Sequence, residues 1–496
     1  MRRSLWFFTA AVSGAVVMSL EMAAFRLYAP YFGYSIYVWA NMISIVMVAL
    51  ALGYALGGHI ADRSKTDGPL FGLLLASAIY QLLILMSLGR LMPALATLGE
   101  IKGTVLASVI VFVPSMTLLA SVGPFAVRLL ARAGQVGSVA GRVSALSTIG
   151  SVAGIVITTF WLIPQIGTFK TLATACTVSG LLAALGLLSS RRALGALGVI
   201  PLLVSLISPT DLDWASDTLW SAESAYNLIQ VREKGDQLWL TLNQHDVAQS
   251  IYNRKTGWSN TYRDAFALGP LLAPARRLLV LGLGGGASVF ATRHAAPAVE
   301  IDAIEIDPLV AEAGIRFFGL SRDDPKLRIH VADARPWLFS SREHFDLVHV
   351  DLYQGGPYIP FYLVTEEFFR LISRRMTPDG LLMMNVLDLS SKRRLLNSTV
   401  ATLRRVFPSV HGLLGRDGSN MLFAFTSERS LEKSRSELSG FRGSPLLESM
   451  AAGAAPALTE LQHEANAIVL TDDRAPVEPM IHEMLAEARA RVRNTR

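Results

Sequence analysis

The chain has 496 residues, 51% hydrophobic and 17% charged, with one cysteine, Cys176. A single thiol excludes an intrachain disulfide framework and a cysteine-based metal site, and a mean hydropathy of +0.40 argues against a protein that is soluble throughout. The net charge of +6 comes from basic residues grouped between apolar runs, a distribution that points to membrane orientation and away from nucleic acid.

Residues 1–208 are apolar and rich in Gly and Ala, whereas 209–496 have an ordinary soluble composition. A span needs about 20 mostly apolar residues, and the runs that qualify are 5–28, 36–60, 69–89, 104–127, 144–164 and 170–189. A seventh, 193–208, is short and contains Pro201, which suits a span, a re-entrant piece or an interfacial helix. The basic start and first run also fit a secretory signal, but the run is long, Glu21 interrupts it and similar runs follow, so it reads as a first membrane helix. Gly53 and Gly57 recur at helical spacing and let helices approach closely. Arg2 and Arg3, Arg63 and Lys65, Arg128, Arg132 and Arg142, and Arg191 and Arg192 fall on alternate connections. That places the N-terminus in the cytoplasm. Six spans keep the soluble half there; seven put it outside. Glu21 and Arg26 are intramembrane charges, for which pairing with another helix is the expectation.

After residue 208 the pattern changes. AYNLIQVRE, QLWLTLN and DVAQSIYN predict short strands of a small β-rich lead-in, 209–262. TYRDAFALGPLLA reads as a helix. In 263–496, LLVLGLG, EIDAIEID, LRIHVAD, FDLVHVDLY and LLMMNVL read as strands, with ASVFATRHA, PLVAEAGIRFF and TEEFFRLISRRM as helices between them. This alternation predicts a Rossmann-like α/β domain with a parallel sheet. The stretch 428–460, with its Ser, Gly, Ala and Pro content, reads as a variable connection.

Gly282, Gly284 and Gly286 follow the first strand of this α/β domain, where glycine permits a tight turn and close approach of backbone to a ligand. Glu305 ends the next strand, placed to accept from both ribose hydroxyls of a nucleoside. Asp333 ends the third, with Ala334 beside it, and Asp351 ends the fourth. Each acid alone could simply cap a helix; the set of three favours a nucleoside site. The third glycine of a dinucleotide fingerprint is displaced and the turn holds no Arg or Lys, so a sulfonium-bearing nucleoside fits better than NAD.

These residues carry a resemblance. The chain resembles the spermidine synthases, and more closely bacterial proteins that fuse a multispan membrane half to a spermidine-synthase-like domain of the class I methyltransferase-like fold. SGAVVMSLEMAAFRLYAPYFGYSIYVWA, GYALGGHIADR and GRVSALSTIGSVAGIVITTFWLIPQIG are similar to its membrane helices. LGLGGGAS, EIDAIEID, VADARPWL, FDLVHVDLY, TEEFFRLISRRMTPDGLLMMNV and LTDDRAPVE follow in its order. The resemblance implies decarboxylated S-adenosylmethionine or S-adenosylmethionine as co-substrate, no metal, an amine or polyamine acceptor, and a multi-pass protein of the bacterial inner membrane with its soluble domain in the cytoplasm. A homodimer is a further expectation. It implies that Gly282, Gly284, Gly286 and Glu305 hold the ribose side, that Asp333 and Ala334 meet the adenine, that Asp351 takes the proton from the amine, and that Gln249, Tyr262, Tyr353 and Gln354 line the acceptor cleft.

The departures from that pattern are specific. Gly285 stands where polyamine-making members carry Asp inside the glycine turn, Gln354 where they carry a second acid, and Asn227 where they carry a Gln in the first lead-in strand. Arg263 brings a cation next to Tyr262. The sequence therefore leaves three readings: an aminopropyltransferase, a methyltransferase, and a transporter, sensor or scaffold that binds without turnover.

Overall fold

The computed structural model describes residues 2–33, 35–131, 135–189, 192–207, 217–243, 247–462, 464 and 467–494. The acidic stretch at 208–216, Arg132, Arg191 and Asp246 lie outside the described residues. The chain forms two compact units, Met1–Ser216 with Glu223–Tyr226, and Asp217–Ala222 with Asn227–Arg496.

The first unit is helical. It opens with α1 (Arg2–Phe32), α2 (Ile36–Arg63) and α3 (Gly68–Ala96). The apolar run at 104–127 is not one helix. It is divided into α4 (Glu100–Val111), α5 (Val113–Ala120) and α6 (Val122–Leu130). Pro114 stands at the start of α5, where its missing N–H and its ring interrupt the ladder of the preceding turn. α7 (Val136–Ile157) continues through a π-helical stretch, Thr158–Leu162, into α8 (Ile163–Ser189). The break expected between the runs 144–164 and 170–189 falls at Gly167, whose φ of +79° is left-handed and open to glycine at no steric cost. The segment expected at 193–208 is a 3-10 turn, Ala193–Val199, followed by α9 (Ile200–Ile207). Among the described residues, five helices are long and apolar enough to cross a bilayer, the fifth being the bent element Val136–Ser189.

Small residues set the packing of this unit. A Cβ at Gly57 would stand 2.6 Å from Ser121 Cα, and one at Gly154 would stand 2.8 Å from Ala15 Cα. These pairs bring α2 against the α5–α6 join and α7 against α1 at backbone distance. The partner of Arg26 is not another helix: its guanidinium donates to the carbonyl of Ala225, and its charge, with the Thr168 hydrogen bonds, partly offsets the burial that raises the Glu223 carboxyl. Glu223 in turn accepts from the backbone N–H of Thr168 at 2.9 Å and from its hydroxyl at 2.5 Å. That carboxylate caps the helix where it restarts beyond Gly167. Glu21 is half-buried.

The second unit holds two sheets. The smaller has the order β1 (Thr218–Glu223), β2 (Leu228–Lys234), β3 (Gln237–Leu242), β4 (Ala248–Asn253). β2–β3 and β3–β4 are antiparallel. β1 lies in a stretch too short and too mixed to show alternation, so pattern reading passes over it. The expected helix at TYRDAFALGPLLA is a 3-10 segment, Tyr262–Leu268, and one turn, α10 (Gly269–Leu272), with Pro270 at its start.

The larger unit core then runs β5 (Arg277–Leu281), α11 (Ala287–Ala295), β6 (Glu300–Glu305), α12 (Pro308–Phe318), β7 (Leu327–Val331), α13 (Ala334–Ser340), β8 (Phe345–Val350), α14 (Glu366–Ser373) and β9 (Met376–Leu387). Beyond these lie α15 (Arg394–Leu403), β10 (Ser409–Leu414), β11 (Ser419–Phe425), α16 (Leu431–Gly440), α17 (Pro445–Ala457), β12 (Thr459–Glu460) and α18 (Val477–Asn494). The sheet order is β12-β10-β11-β9-β8-β5-β6-β7.

β7, β6, β5, β8 and β9 are parallel neighbours, as the alternation predicts. Beyond them the pairing changes: β11 runs antiparallel beside β9 and β10 antiparallel beside β11, the two joined by a short loop in which Gly418 takes φ +82°. Asp417-Gly418 between two apolar runs is a hairpin signal. The connection expected at 428–460 is also corrected. Ser430 caps α16 by accepting from Lys433 N–H at 3.2 Å, and Leu438, Leu447 and Ala451 are buried. The alanines that suggested a loose linker are strong helix formers. Since β6 lies on one side of β5 and β8 on the other, the connections diverge at β5. The crevice at the carboxyl ends of β5 and β8 is therefore where ligands bind in sheets of this kind.

Candidate active site

The glycine turn opens at that crevice. Gly282, Gly284 and Gly286 have φ of +88°, +53° and +85°, so L side chains are strained at all three. A Cβ on Gly282 would run into the Asp351 carbonyl. Gly282→Ala is expected to lower stability by about 1–3 kcal/mol and to weaken nucleoside binding. A thermal melt and a nucleoside titration check this, and an unchanged pair of values overturns the assigned role of the turn.

Glu305 and the turn are one structure. Its Oε2 accepts from Gly284 N–H at 3.0 Å and its Oε1 from Asp307 N–H at 3.1 Å. Burial pushes the carboxyl up to about 7, although both backbone donors favour the charged form and the Asp307 charge opposes it. Ser250, which the sequence reading missed, holds the same turn by accepting from Gly285 N–H at 2.8 Å. A Cβ on Gly285 would lie 3.0 Å from both the Phe318 ring and Ser250 Cβ. A side chain here, where the polyamine-making pattern has an acid, would need Phe318 or Ser250 to give way slightly.

Asp333 caps a helix, as a strand-end acid can. It is the N-cap of α13 and accepts from Arg335 N–H at 2.9 Å. It stays half-exposed beside buried Ala334 and borders a cleft of about 610 Å³. Together β7, β6, β5 and β8 bring Asp333, Glu305, the glycine turn and Asp351 to one edge of the sheet.

Asp351 follows β8 directly. Tyr262 O–H points at both of its oxygens, at 3.4 and 3.5 Å, distances at which each bond is weak. Burial raises the carboxyl above its ordinary range and outweighs the Arg263 charge and the Asn385 and Tyr262 hydrogen bonds, which favour ionisation. Asn385 was also missed, yet a lone amide within the apolar strand LLMMNVL is a readable signal. It is 2% exposed, and its Oδ1 has no partner among the described residues. Tyr353 turns its hydroxyl inward, donating to the Asn385 carbonyl at 3.2 Å and accepting from Leu387 N–H at 3.0 Å.

The remaining expectations divide. Gln249 lies on β4, and its carbonyl accepts from Arg263 Nε at 2.9 Å. Arg263 is not a free cation in the acceptor path. It is 6% exposed, lies over the Tyr262 ring at 4.5 Å and also donates to the Ala248 carbonyl. Gln354 is exposed, and its backbone carries its contacts: the N–H donates to Tyr358 O at 2.9 Å, and the carbonyl accepts from Asn243 at 3.4 Å. Asn227 lies before β2, not in the first strand, and donates to Asp307 Oδ2 at 2.9 Å while accepting from Asn243 at 2.7 Å. Asn243, at φ +62°, is thereby the joint between the small sheet and the segment after β8.

Residues 265–414 match the spermine/spermidine synthase domain. Similar proteins include one named Probable polyamine aminopropyl transferase from Bifidobacterium longum, 27% identical over 299 residues, which are 56% of this chain and 66% of that protein. A Polyamine aminopropyltransferase from Mycobacterium tuberculosis is 27% identical over 334 residues, 60% of this chain and 62% of its own. The human eEF1A lysine and N-terminal methyltransferase is 31% identical over 147 residues, 27% of this chain and 20% of its own. The chain thus spans about two thirds or less of the length of these relatives. A solved structure, a probable spermidine synthase from Corynebacterium glutamicum, aligns at TM-score 0.39 and 21% identity over 51% of this chain and 98% of that one.

Proposed function

We propose that the protein is an aminopropyltransferase of the spermidine-synthase type, borne on bilayer-spanning helices of the bacterial inner membrane with the α/β domain in the cytoplasm. Decarboxylated S-adenosylmethionine is the donor and a primary amine or polyamine the acceptor. The observation that supports this best is the placing, at the ends of the two strands that flank β5, of Glu305 held to the glycine turn and of buried Asp351 facing Tyr262. Glu305 and the turn would hold the ribose, Asp333 and Ala334 the adenine. Asp351 and the unpartnered Oδ1 of Asn385 would receive the N–H groups of the acceptor, with Gln249 and Gln354 at the rim.

An ammonium cannot attack carbon until it loses a proton, and a carboxylate raised by burial is a better base than an ordinary one. The N–C bond forms as the C–S bond breaks, the sulfur leaves neutral as a thioether, and the proton passes from nitrogen to Asp351. The donor supplies its own leaving group, so this chain's residues need only align nitrogen, carbon and sulfur and accept the proton.

One observation favours a second reading, methyl transfer from S-adenosylmethionine: Gly285 is packed against Phe318 and Ser250, so the turn carries no acid facing the donor tail. Calorimetric titration of the full-length protein in detergent with S-adenosylmethionine, its decarboxylated form and methylthioadenosine tests both, coupled to product detection with a linear diamine. Tightest binding and aminopropyl product with the decarboxylated donor is the expected result. Methylated product only from S-adenosylmethionine overturns it in favour of the second reading. Binding without any product points to a sensor.

A further inference from the structure

The C-terminal LTDDRAPVE, 470–478, has no part in the chemistry above, yet it is anchored more firmly than a tail requires. Leu470 is fully buried, its N–H donates to Thr402 Oγ1 at 2.9 Å, and its carbonyl accepts from Glu366 N–H at 2.8 Å. This fixes Asp472 against two elements distant in sequence. Arg335 forms a fork on it, Nη1 reaching Oδ1 at 2.9 Å and Nη2 reaching Oδ2. Thr365, the N-cap of α14, donates its hydroxyl to Oδ1 at 2.8 Å. The Asp472 N–H donates to Glu367 Oε2 at 3.0 Å. Arg335 also donates to the Tyr362 carbonyl at 3.0 Å.

Arg335 is the second residue of α13, and its backbone N–H is the one Asp333 caps. Tyr362 belongs to the segment that follows the Asp351 loop. Asp333, Arg335, Tyr362 and Glu367 all border the same cleft of about 610 Å³. One carboxylate from the segment before α18 thus ties the α13 N-terminus to the start of α14, two sides of the place where the base would lie.

We propose that Asp472 and Arg335 form a positioning clasp that sets the spacing of the adenine slot, so that the C-terminal motif controls nucleoside affinity without touching the nucleoside. The proposal rests on the donor reading above. A bidentate guanidinium–carboxylate pair suits the task because it fixes orientation as well as distance. The pair is partly exposed, with side chains 25% and 43% accessible, so its loss acts on geometry more than on global stability.

The test uses the full-length protein in detergent, with methylthioadenosine as the probe. Asp472→Asn is expected to weaken binding roughly tenfold, the scale of one lost charge-assisted hydrogen bond. The donor KM should rise in step while kcat changes little and the thermal midpoint falls only slightly. Asp472→Glu should recover part of the affinity. If Asp472→Asn gives no cooperative melt, Arg335→Lys, which keeps the charge and loses the fork, is read by the same criteria. A lowered midpoint with unchanged affinity and KM overturns the clasp and leaves a structural staple. Wild-type protein that binds no methylthioadenosine overturns the donor reading, and the clasp with it.

Discussion

Asp351→Asn is expected to abolish group transfer, lowering kcat by about a thousandfold, within the range typical of a lost general base, while nucleoside affinity stays near the wild-type value. The split follows from position. Asp351 follows β8 and meets Tyr262 and Asn385, whereas Glu305 and the glycine turn, the proposed ribose side, lie at the ends of β6 and β5. Asparagine keeps the shape and one acceptor oxygen, so the Tyr262 contact survives, but it cannot take a proton. The pH dependence carries a sign. Burial holds the Asp351 carboxyl above its ordinary range, and the base works only when ionised. Wild-type kcat/KM therefore rises with pH along a limb centred above the usual carboxylate range, and the residual rate of the variant lacks that limb. The same raised position means that the folded protein binds this proton more tightly than the unfolded chain, so ionising Asp351 costs stability as pH rises. The variant should melt no lower than wild type at neutral pH. Retained turnover in a folded Asp351→Asn protein would remove Asp351 from the mechanism.

What could be read from residues alone was the part with strong periodicity. The parallel strands β5 to β9 are short apolar runs closed by a glycine or an acid, and the structure places Glu305, Asp333 and Asp351 on the one edge that the pattern implied. The apolar runs of the first unit are likewise evident, because length and hydropathy are local properties. Residues whose role lies in a distant partner were less legible. Ser250 is one hydroxyl on an edge strand until Gly285 N–H meets it, and Asn385 one amide in an apolar run until Tyr353 and Asp351 surround it. Arg263 reads as a loose charge beside Tyr262, yet backbone carbonyls of β4 and an aromatic face absorb it. The helices at 431–457 were hidden by composition, since alanine, serine and glycine mark a linker and a small-residue helix alike. The division of 104–127 turns on Pro114, a local signal that a hydropathy window averages away.

Glu305 should make nucleoside binding a proton-releasing reaction near neutral pH. Free, its carboxyl is raised to about 7 by burial, so at pH 6 most molecules hold the proton. Ribose hydroxyls donate, and they favour the ionised acceptor. Affinity for methylthioadenosine should therefore increase as pH rises from below to above 7, and the observed binding enthalpy at pH 6 should vary with the ionisation enthalpy of the buffer, reporting close to one proton released. Stability without ligand moves the other way. An acid whose folded value lies above its unfolded one makes the folded state bind the extra proton, so stability falls between about pH 4.5 and 7, by roughly 3 kcal/mol at most. Glu305→Gln should flatten both slopes. It should also weaken binding by about a hundredfold, the scale of losing charge-assisted hydrogen bonds to two hydroxyls. One amide oxygen cannot accept from both Gly284 N–H and Asp307 N–H as the two carboxylate oxygens do, so the turn loses an anchor at the same time. A buffer-independent enthalpy for wild type, or a variant that binds as tightly, would show that the ribose does not rest on Glu305, and the nucleoside pocket would then have to be sought elsewhere along the sheet edge.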